Sequence, residues 1–473
     1  MGIKFGTDGW RAIIAEDFTF DNVRVCAQAV ANYMKEAGLA RRGLLIGYDT
    51  RFASEDFAAA TAEVVAANGI KVSLCTQPTP TPVISFSTQS RNFGAAVIIT
   101  ASHNPRQWNG FKIKSGNGMS APPEVTEPVE KQVNLVLGGG GIKRMPLKEG
   151  RNKGLIEYVD LAPEYMAQVA GLVDLDGIRK AGLKVAVDSM CGAGCGYTKM
   201  VLGKGATKVA EVNGERNPSF PGMERPEPIA VNLGALTKLI KRQHANIGLS
   251  TDGDADRVGI MDENGEFLNP LQVFALLTLY FLEVRGQRGP IVKTVTTGNM
   301  ISKLGQIFNV PVYETPVGFR WVAPKMEETG AFIGGEESGG CGFRGHVLER
   351  DGVLAGILFL DFMVKTGKTP SQLLQYLYSK VGPHFYDRID VDFKAEDRQS
   401  IMQRISGARV DDVAGKRIAS RDSIDGFRFL LEDGSWFLIR LSGTEPLLRL
   451  YSESKSPQEV KDLLQAARKI AGA

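Results

Sequence analysis

Cysteine is scarce: five in 473 residues, too few and too scattered for a disulfide framework. The pair Cys191-Gly-Ala-Gly-Cys195 has no matching second pair and no nearby histidine, so it reads as a glycine-rich turn rather than a metal or redox site. A long hydrophobic run is also missing. The longest apolar stretch, Val273–Leu282, is about half of what a bilayer requires and reads as a buried helix. The first residues, Met1-Gly2-Ile3-Lys4-Phe5-Gly6-Thr7, lack the apolar core of a signal peptide. A cytoplasmic protein with no membrane partner is therefore expected. Neither sign of charge dominates: 56 Lys and Arg against 53 Asp and Glu leave a net charge of +3. That balance speaks against a dedicated nucleic-acid binder and leaves room for a local basic pocket. Short-period repeats and low-complexity tracts are absent.

What is present is an alternation of strand-like and helix-like segments. Leu44–Tyr48 reads as a strand, Ser54–Asn68 as a helix closed by Gly69, and Lys71–Cys75 and Ala95–Thr100 as further strands. This rhythm implies an α/β layer architecture. The glycine break Gly138–Gly141 is a candidate domain edge. Beyond it come a helix over Tyr158–Val169 and strands over Leu183–Asp188 and Asn246–Ser250. A third unit follows, with helices over Leu271–Val284, Met300–Phe308 and Ala355–Lys365 and a strand over Ile291–Val295. From about Gly367 the texture changes to antiparallel strands at Arg388–Phe393, Phe427–Glu432 and Trp436–Leu441. The last two are joined by an Asp433-Gly434 turn, and helices at Ala395–Ser406 and Pro457–Ala471 flank the set. The expected units are 1–150, 151–257 and 258–370, all α/β, and 371–473, which is α+β.

The chemistry-bearing stretches sit at the ends of such strands. Ala95–Ile99 runs into Thr100-Ala101-Ser102-His103-Asn104-Pro105, delivering a serine hydroxyl to a strand's carboxyl end, where open α/β sheets place their chemistry. Those residue types all favour turns, so this stretch alone also reads as a plain β-turn. The following Gly110-Phe111-Lys112-Ile113-Lys114 brings an ammonium within range of the hydroxyl or of a phosphate on it. Thr251-Asp252-Gly253-Asp254-Ala255-Asp256-Arg257 places carboxylates at alternate positions. Their mutual repulsion is naturally offset by a divalent cation, Mg²⁺ if a phosphate oxygen completes the shell. Asp252–Glu263 also has EF-hand spacing, but Arg257 stands where that loop needs glycine, and strands rather than helices flank it. Gly334-Gly335-Glu336-Glu337-Ser338-Gly339-Gly340 reads alone equally as an ordinary loop or as acids and a hydroxyl suited to vicinal sugar hydroxyls. Beyond it His346 is a weaker candidate base. Arg440-Leu441-Ser442-Gly443-Thr444-Glu445-Pro446, with Arg449, is an anion cradle of guanidiniums, hydroxyls and a glycine N–H. Near the start, Gly6-Thr7-Asp8-Gly9-Trp10-Arg11 reads alone as a turn, and it also offers Arg11 to another anionic group.

Taken in order, these segments closely resemble the α-D-phosphohexomutase superfamily, which includes phosphoglucomutases and phosphomannomutases, over the whole chain. The phosphoserine loop is similar to Thr100–Pro105, the metal loop to Asp252–Arg257, the sugar loop to Gly335–Gly340 and the phosphate loop to Arg440–Pro446. The resemblance implies four domains around a central cleft, three related mixed α/β units and a last α+β unit. It implies Ser102 as the phosphorylated residue, assisted by His103, Lys112, Arg257 and Arg11. Mg²⁺ is then held by Ser102, Asp252, Asp254 and Asp256. Glu336 and Ser338 bind the sugar, and Arg440, Ser442, Gly443, Thr444 and Arg449 bind the substrate's phosphate. Many relatives carry a histidine where Gly340 stands, and some carry a second within the region of Gly318-Phe319-Arg320; this chain has neither.

The reaction so implied is exchange of a hexose 1-phosphate with its 6-phosphate through a bound 1,6-bisphosphate, with glucose 1,6-bisphosphate as primer. Glucose is the expected sugar, and mannose or glucosamine the alternatives. Lys112 is the expected proton carrier, because an arginine is a poor base. A glucose-1,6-bisphosphate synthase needs the same loops. A catalytically silent phosphosugar binder is a third reading, and the intact Ser102 and three aspartates speak against it. The expected partner is a phosphosugar, and the expected state a monomer or homodimer.

Overall fold

Three turns, each joining two antiparallel strands, carry the serine, aspartate and Glu336 stretches, and the first three sheets hold them. The computed structural model describes residues 2–6, 8–442 and 447–472, without the Ala395 side chain. The first sheet has six strands in the order Trp10–Ile13, Trp108–Ser115, Ala95–Ile99, Leu44–Tyr48, Val72–Cys75, Ile156–Val159. Ala95–Ile99 pairs parallel to Leu44–Tyr48 and antiparallel to Trp108–Ser115. All five of its residues are buried, as expected of a central strand covered on both faces. The second sheet runs Phe267–Leu268, Val258–Met261, Ile247–Thr251, Lys184–Asp188, Lys208–Val212. The third runs Val312–Thr315, Ile291–Thr294, Ile333–Gly335, Cys341–Phe343.

One unit is thus built three times. In each sheet a buried strand lies parallel to one neighbour, turns sharply, and returns antiparallel on its other side. The turns are the serine loop, the aspartate loop and the Glu336 loop. The fourth sheet is antiparallel throughout, in the order Phe385–Asp392, Leu447–Ser454, Trp436–Leu441, Phe427–Leu431, Lys416–Asp422, Asp412–Val413. Asp433-Gly434 forms the expected hairpin, with Gly434 at φ +86°. This sheet closes over the helices Arg398–Gly407 and Pro457–Ala471 with a core of its own, including Ile401, Phe429, Phe437, Ile439, Leu450 and Leu463. One large apolar cluster runs through the first three units.

The structure moves several boundaries. Tyr158 lies on the strand Ile156–Val159, not on a helix, and the helix is Ala162–Leu172. That strand joins the first sheet, so the glycine break Gly138–Gly141 is internal and the first unit passes residue 150. Val258–Met261 and Phe267–Leu268 complete the second sheet, so its edge lies beyond 257. The helix Pro370–Val381 packs through Leu373, Leu377 and Val381 into the large shared cluster, and the fourth unit starts at Phe385 rather than 371. Sheet pairing and core packing, which decide these edges, are long-range properties that local composition does not carry. The helix Leu271–Val284 is α-helical over Pro270–Leu279 and widens to a π-turn over Tyr280–Val284. Among the described residues no helix is long and apolar enough to cross a membrane.

The separate core of the fourth unit yields a direct test. Phe437 is fully buried and stacks on Phe429 at 4.6 Å between centroids. Phe437→Ala is expected to destabilise this unit by about 3–5 kcal/mol, read from urea unfolding followed by the fluorescence of Trp436 on the same strand.

Candidate active site

Ser102 follows a fully buried strand and adopts φ +50°. A non-glycine residue pays about 1–3 kcal/mol for such backbone, so the surroundings must hold it there. Arg51 does this. Its side chain is wholly buried, and its Nη atoms donate to four loop carbonyls: Ser102 and Asn104 at 2.6 Å each, Pro105 at 2.9 Å and Trp108 at 3.0 Å. Asp49 pairs with the Arg51 Nε at 3.2 Å and accepts from the Thr100 hydroxyl at 2.6 Å; Thr100 in turn accepts the Ser102 N–H at 2.9 Å. Arg11 adds a bond from Nη1 to the Asn104 side chain at 2.6 Å.

The aspartate loop arrives from the second unit by backbone contact. Gly253 lies so close to the serine loop that a Cβ there would collide with the Ser102 carbonyl oxygen. The Cys191–Cys195 turn supports it from behind, with the Ala193 N–H donating to the Gly253 carbonyl at 2.9 Å. Both cysteines are free, and the turn is structural. As a result the Ser102 hydroxyl donates to Asp252 Oδ2 at 2.8 Å. Asp252, Asp254 and Asp256 are all fully buried, with one ligand oxygen from each within 4.8 Å of the others.

Positive charge surrounds these acids. Lys112 Nζ lies 2.8 Å from Asp254, 2.7 Å from Asp8 and 3.7 Å from Asp256. Thr81 also donates to Asp254, at 2.7 Å. Arg257 pairs with Glu227 at 3.0 Å and lies 3.9 Å from Asp256, while its N–H donates to Asp252 at 3.2 Å. Arg350 reaches Asp256 at 2.8 Å and Asp8 at 3.0 Å. The compensation is incomplete. Burial, reinforced by Asp256 and Asp254, pushes the Asp252 carboxyl well above the ordinary range. Burial also raises Asp256, against the pull of Arg350. For Asp254 burial acts in the same direction, but the Lys112 ammonium outweighs it and holds the carboxyl below its usual range. Asp254 Oδ1 and Asp256 Oδ1 are buried without a hydrogen-bond partner. Hard carboxylate oxygens, crowded and partly unsatisfied, fit a divalent cation.

Lys112 departs from its expected role. Burial pulls its pKa down, but Asp254, Asp8 and Asp256 overcome this and hold it above the ordinary lysine value. It is a fixed positive charge and a poor proton carrier. His103 is better placed: its Nδ1 lies 3.2 Å from Ser102 Oγ. Burial, then the charges of Arg257, Arg11 and Lys112, depress its pKa well below the usual value, which keeps the imidazole neutral.

The Glu336 loop joins the same group through Arg350, whose Nη1 lies 3.5 Å from Glu336 Oε2. Glu336 is buried and also accepts the Gly318 N–H at 3.0 Å, while Ser338 is partly exposed on the turn. Gly340 is necessary here, because the Arg350 stem fills the space its Cβ would need. Phe319, in the other region without histidine, lies under the Arg350 guanidinium at 5.9 Å. His346 is not in the cleft: its side chain is fully buried, with Nε2 3.1 Å from Asp351. In the fourth unit Arg440 pairs with Asp425 at 2.9 Å, and Arg449 lies 3.9 Å from Asp390. The Ser442 carbonyl accepts from Arg398. Arg388 bridges this unit to Glu337 of the Glu336 loop at 3.4 Å. Gly443 and Thr444 lie outside the described residues.

Sequence reasoning missed Asp8, Asp49, Arg51 and Arg350. Asp49 and Arg51 directly follow the apolar strand Leu44–Tyr48, the same strand-end signal that picked out Ser102. Arg350 offers no such signal, since its charged neighbours read as a solvated face.

Known proteins bear on this geometry. The chain matches the models described as phosphoglucomutase/phosphomannomutase alpha/beta/alpha domain I over residues 2–136, domain II over 163–265, domain III over 269–381, and the C-terminal domain over 392–470. It is 32% identical over 470 residues to a phosphoglucomutase/phosphomannomutase of Thermococcus kodakarensis, covering 99% of this chain and 98% of that one. A phosphoglucomutase of Komagataeibacter xylinus is 29% identical over 98% of this chain and 90% of its own length. The crystal structure of a Thermus thermophilus protein, described as a phosphomannomutase, superposes with a TM-score of 0.86 at 33% identity over 100% of both chains. Matched in order from the first sheet to the last, the chain belongs to the phosphoglucomutase/phosphomannomutase family of the α-D-phosphohexomutases and is a mutase-type phosphotransferase.

Proposed function

We propose that this chain interconverts hexose 1-phosphate and hexose 6-phosphate, with glucose as the favoured sugar, through phosphorylated Ser102 and a 1,6-bisphosphate. The observation that carries the reading is the 2.8 Å bond between Ser102 Oγ and Asp252 at the edge of the buried aspartate triad. Asp252, Asp254 and Asp256 with Ser102 are the groups that would hold Mg²⁺, which when bound supplies neutralising charge beside the migrating phosphoryl group. The serine and the triad come from separate sheets, so their juxtaposition is a product of the whole fold.

The remaining work falls to this chain's own groups. The substrate's free hydroxyl oxygen forms a bond to the phosphorus of phospho-Ser102. The bond from phosphorus to Ser102 Oγ breaks, and the hydroxyl proton passes to a base. The neutral His103, within reach of Ser102 Oγ, is the best candidate to carry it. Lys112, Arg257 and Arg11 hold fixed positive charge around the transfer, which needs positioning and electrostatics more than covalent help. Glu336 and Ser338 bind the sugar hydroxyls, and Arg440, Ser442, Gly443, Thr444 and Arg449 hold the phosphate already on the substrate. The bisphosphate turns end for end, and its other phosphate returns to Ser102. Glucose is favoured because Glu336-Glu337-Ser338 resembles the loop of glucose-type mutases.

Ser102→Ala is expected to abolish isomerisation with an unchanged Tm. The parent, primed with glucose 1,6-bisphosphate, is expected to turn over glucose 1-phosphate faster than mannose 1-phosphate or glucosamine 1-phosphate, followed by phosphorus NMR. Preference for either rival would reassign the sugar, and net accumulation of bisphosphate would mark a synthase. Chelation with EDTA is expected to lower the rate at least about 100-fold, with recovery on added Mg²⁺; a rate indifferent to chelation would remove the metal from the scheme. Gly253→Ala, which pushes the two loops apart, is expected to cost a similar factor while far-UV circular dichroism stays the same.

A further inference from the structure

Several carboxylates join the third and fourth units, among them Glu314 with Arg428 at 2.6 Å and Asp425 with the Val317 N–H at 2.9 Å; the most deeply placed is Glu453. Glu453, on the strand Leu447–Ser454, is only 2% exposed. Both its oxygens accept the N–H of Asn299, at 3.0 and 2.9 Å, at the start of the helix Asn299–Ile307 in the third unit. Anions are favoured at that end of a helix. The Trp436 indole N–H donates to Oε2 at 3.1 Å, and His384 Nδ1 pairs with Oε1. Lys303 donates to His384 Nε2 at 3.0 Å and to the Val381 carbonyl at 2.7 Å. His384 belongs to the short link Gly382-Pro383-His384 between the helix Pro370–Val381 and the first strand of the fourth unit. Gly298 leaves room for the arrangement, since a Cβ there would collide with Glu453 Oε2.

The same carboxylate is connected to the phosphate cradle by sheet register. Trp436 pairs with Glu453, Leu438 with Tyr451, and Arg440 with Arg449. Alternate residues share a face, so one face of this ribbon runs from the Glu453 anchor to the two cradle arginines. Between them Leu438, Tyr451 and Trp436 cluster with Val295 of the third unit. Four residues along a strand span about 13 Å, so a tilt at Glu453 is carried directly to Arg449.

We propose that Glu453 is a positioning residue that sets the seat of the fourth unit and thereby the aim of Arg440 and Arg449 at the distal phosphate of the substrate. The kinetic part rests on the mutase reading above; the seating part does not. Glu453→Gln keeps the shape and loses the charge, and Gly298→Ala disturbs the same anchor from the third unit. In both, KM for hexose 1-phosphate is expected to rise about tenfold or more. Transfer from phospho-Ser102 to unphosphorylated glucose, which does not use the cradle, is expected to stay within about twofold. The double variant is expected to show less than the product of the single effects, because both act at one contact. An unchanged KM, or an equal fall in both transfers, would overturn the positioning role. Independently of any reaction, spin labels at the exposed positions Ile307→Cys and Ile424→Cys report the seating of the two units. Their distance distribution is expected to broaden in Glu453→Gln. A distribution as narrow as the parent's would overturn the proposal even where no mutase activity is found.

Discussion

Three carboxylates packed into a buried pocket repel one another, and the surrounding cations are spent on containing that repulsion. Lys112, Arg257 and Arg350 come from three different units, and each reaches the aspartate loop. Ion pairs of this kind are costly to desolvate, so they are weak evidence for stability and strong evidence for a site where negative charge must be handled. Two of the acids remain raised by burial even so. The pocket is therefore short of positive charge in a way that a hard cation corrects. Closing the first three units around one loop is the geometric consequence.

The architecture multiplies a single device. A buried strand, a sharp turn and an antiparallel return occur in each of the first three sheets, and the turn carries a different chemistry each time: a hydroxyl, a carboxylate triad, an acid with a serine. Side chains such as Arg51 hold the turns, and main-chain contacts press them together. Gly253 touches the serine loop, and Gly352 lies against the Arg257 carbonyl. Two of the turns include strained non-glycine backbone, with Ser102 at φ +50° and Ala255 at φ +59°.

Much of this was legible in the sequence. Strands such as Leu44–Tyr48 and Trp436–Leu441 lie where their apolar runs put them. Ser102 and the alternating aspartates meet from strand ends, and Lys112 reaches them from within the strand Trp108–Ser115. What escaped was of two kinds. Domain edges depended on which sheet a short strand joins, and Ile156–Val159 is locally indistinguishable from the start of the next unit. Charge roles depended on partners far away in the chain. Lys112 reads as a base from its spacing alone, yet Asp8, Asp254 and Asp256 surround it, and His103 gains importance from its place 3.2 Å from Ser102 Oγ. Arg350 sits in a run of charged residues whose local pattern suggests a surface, yet it is buried between two loops.

The backbone docking of Gly253 against Ser102 has a consequence for how such a chain can change. Because the nucleophile and the acid cluster are brought into register by main-chain atoms, side chains elsewhere in either sheet are free to drift without shifting one against the other. A glycine and a carbonyl oxygen thus act as a hard stop that tolerates wide divergence around it. About two thirds of positions differ between this chain and the Thermococcus relative at 32% identity, and the main-chain stop asks nothing of most of them.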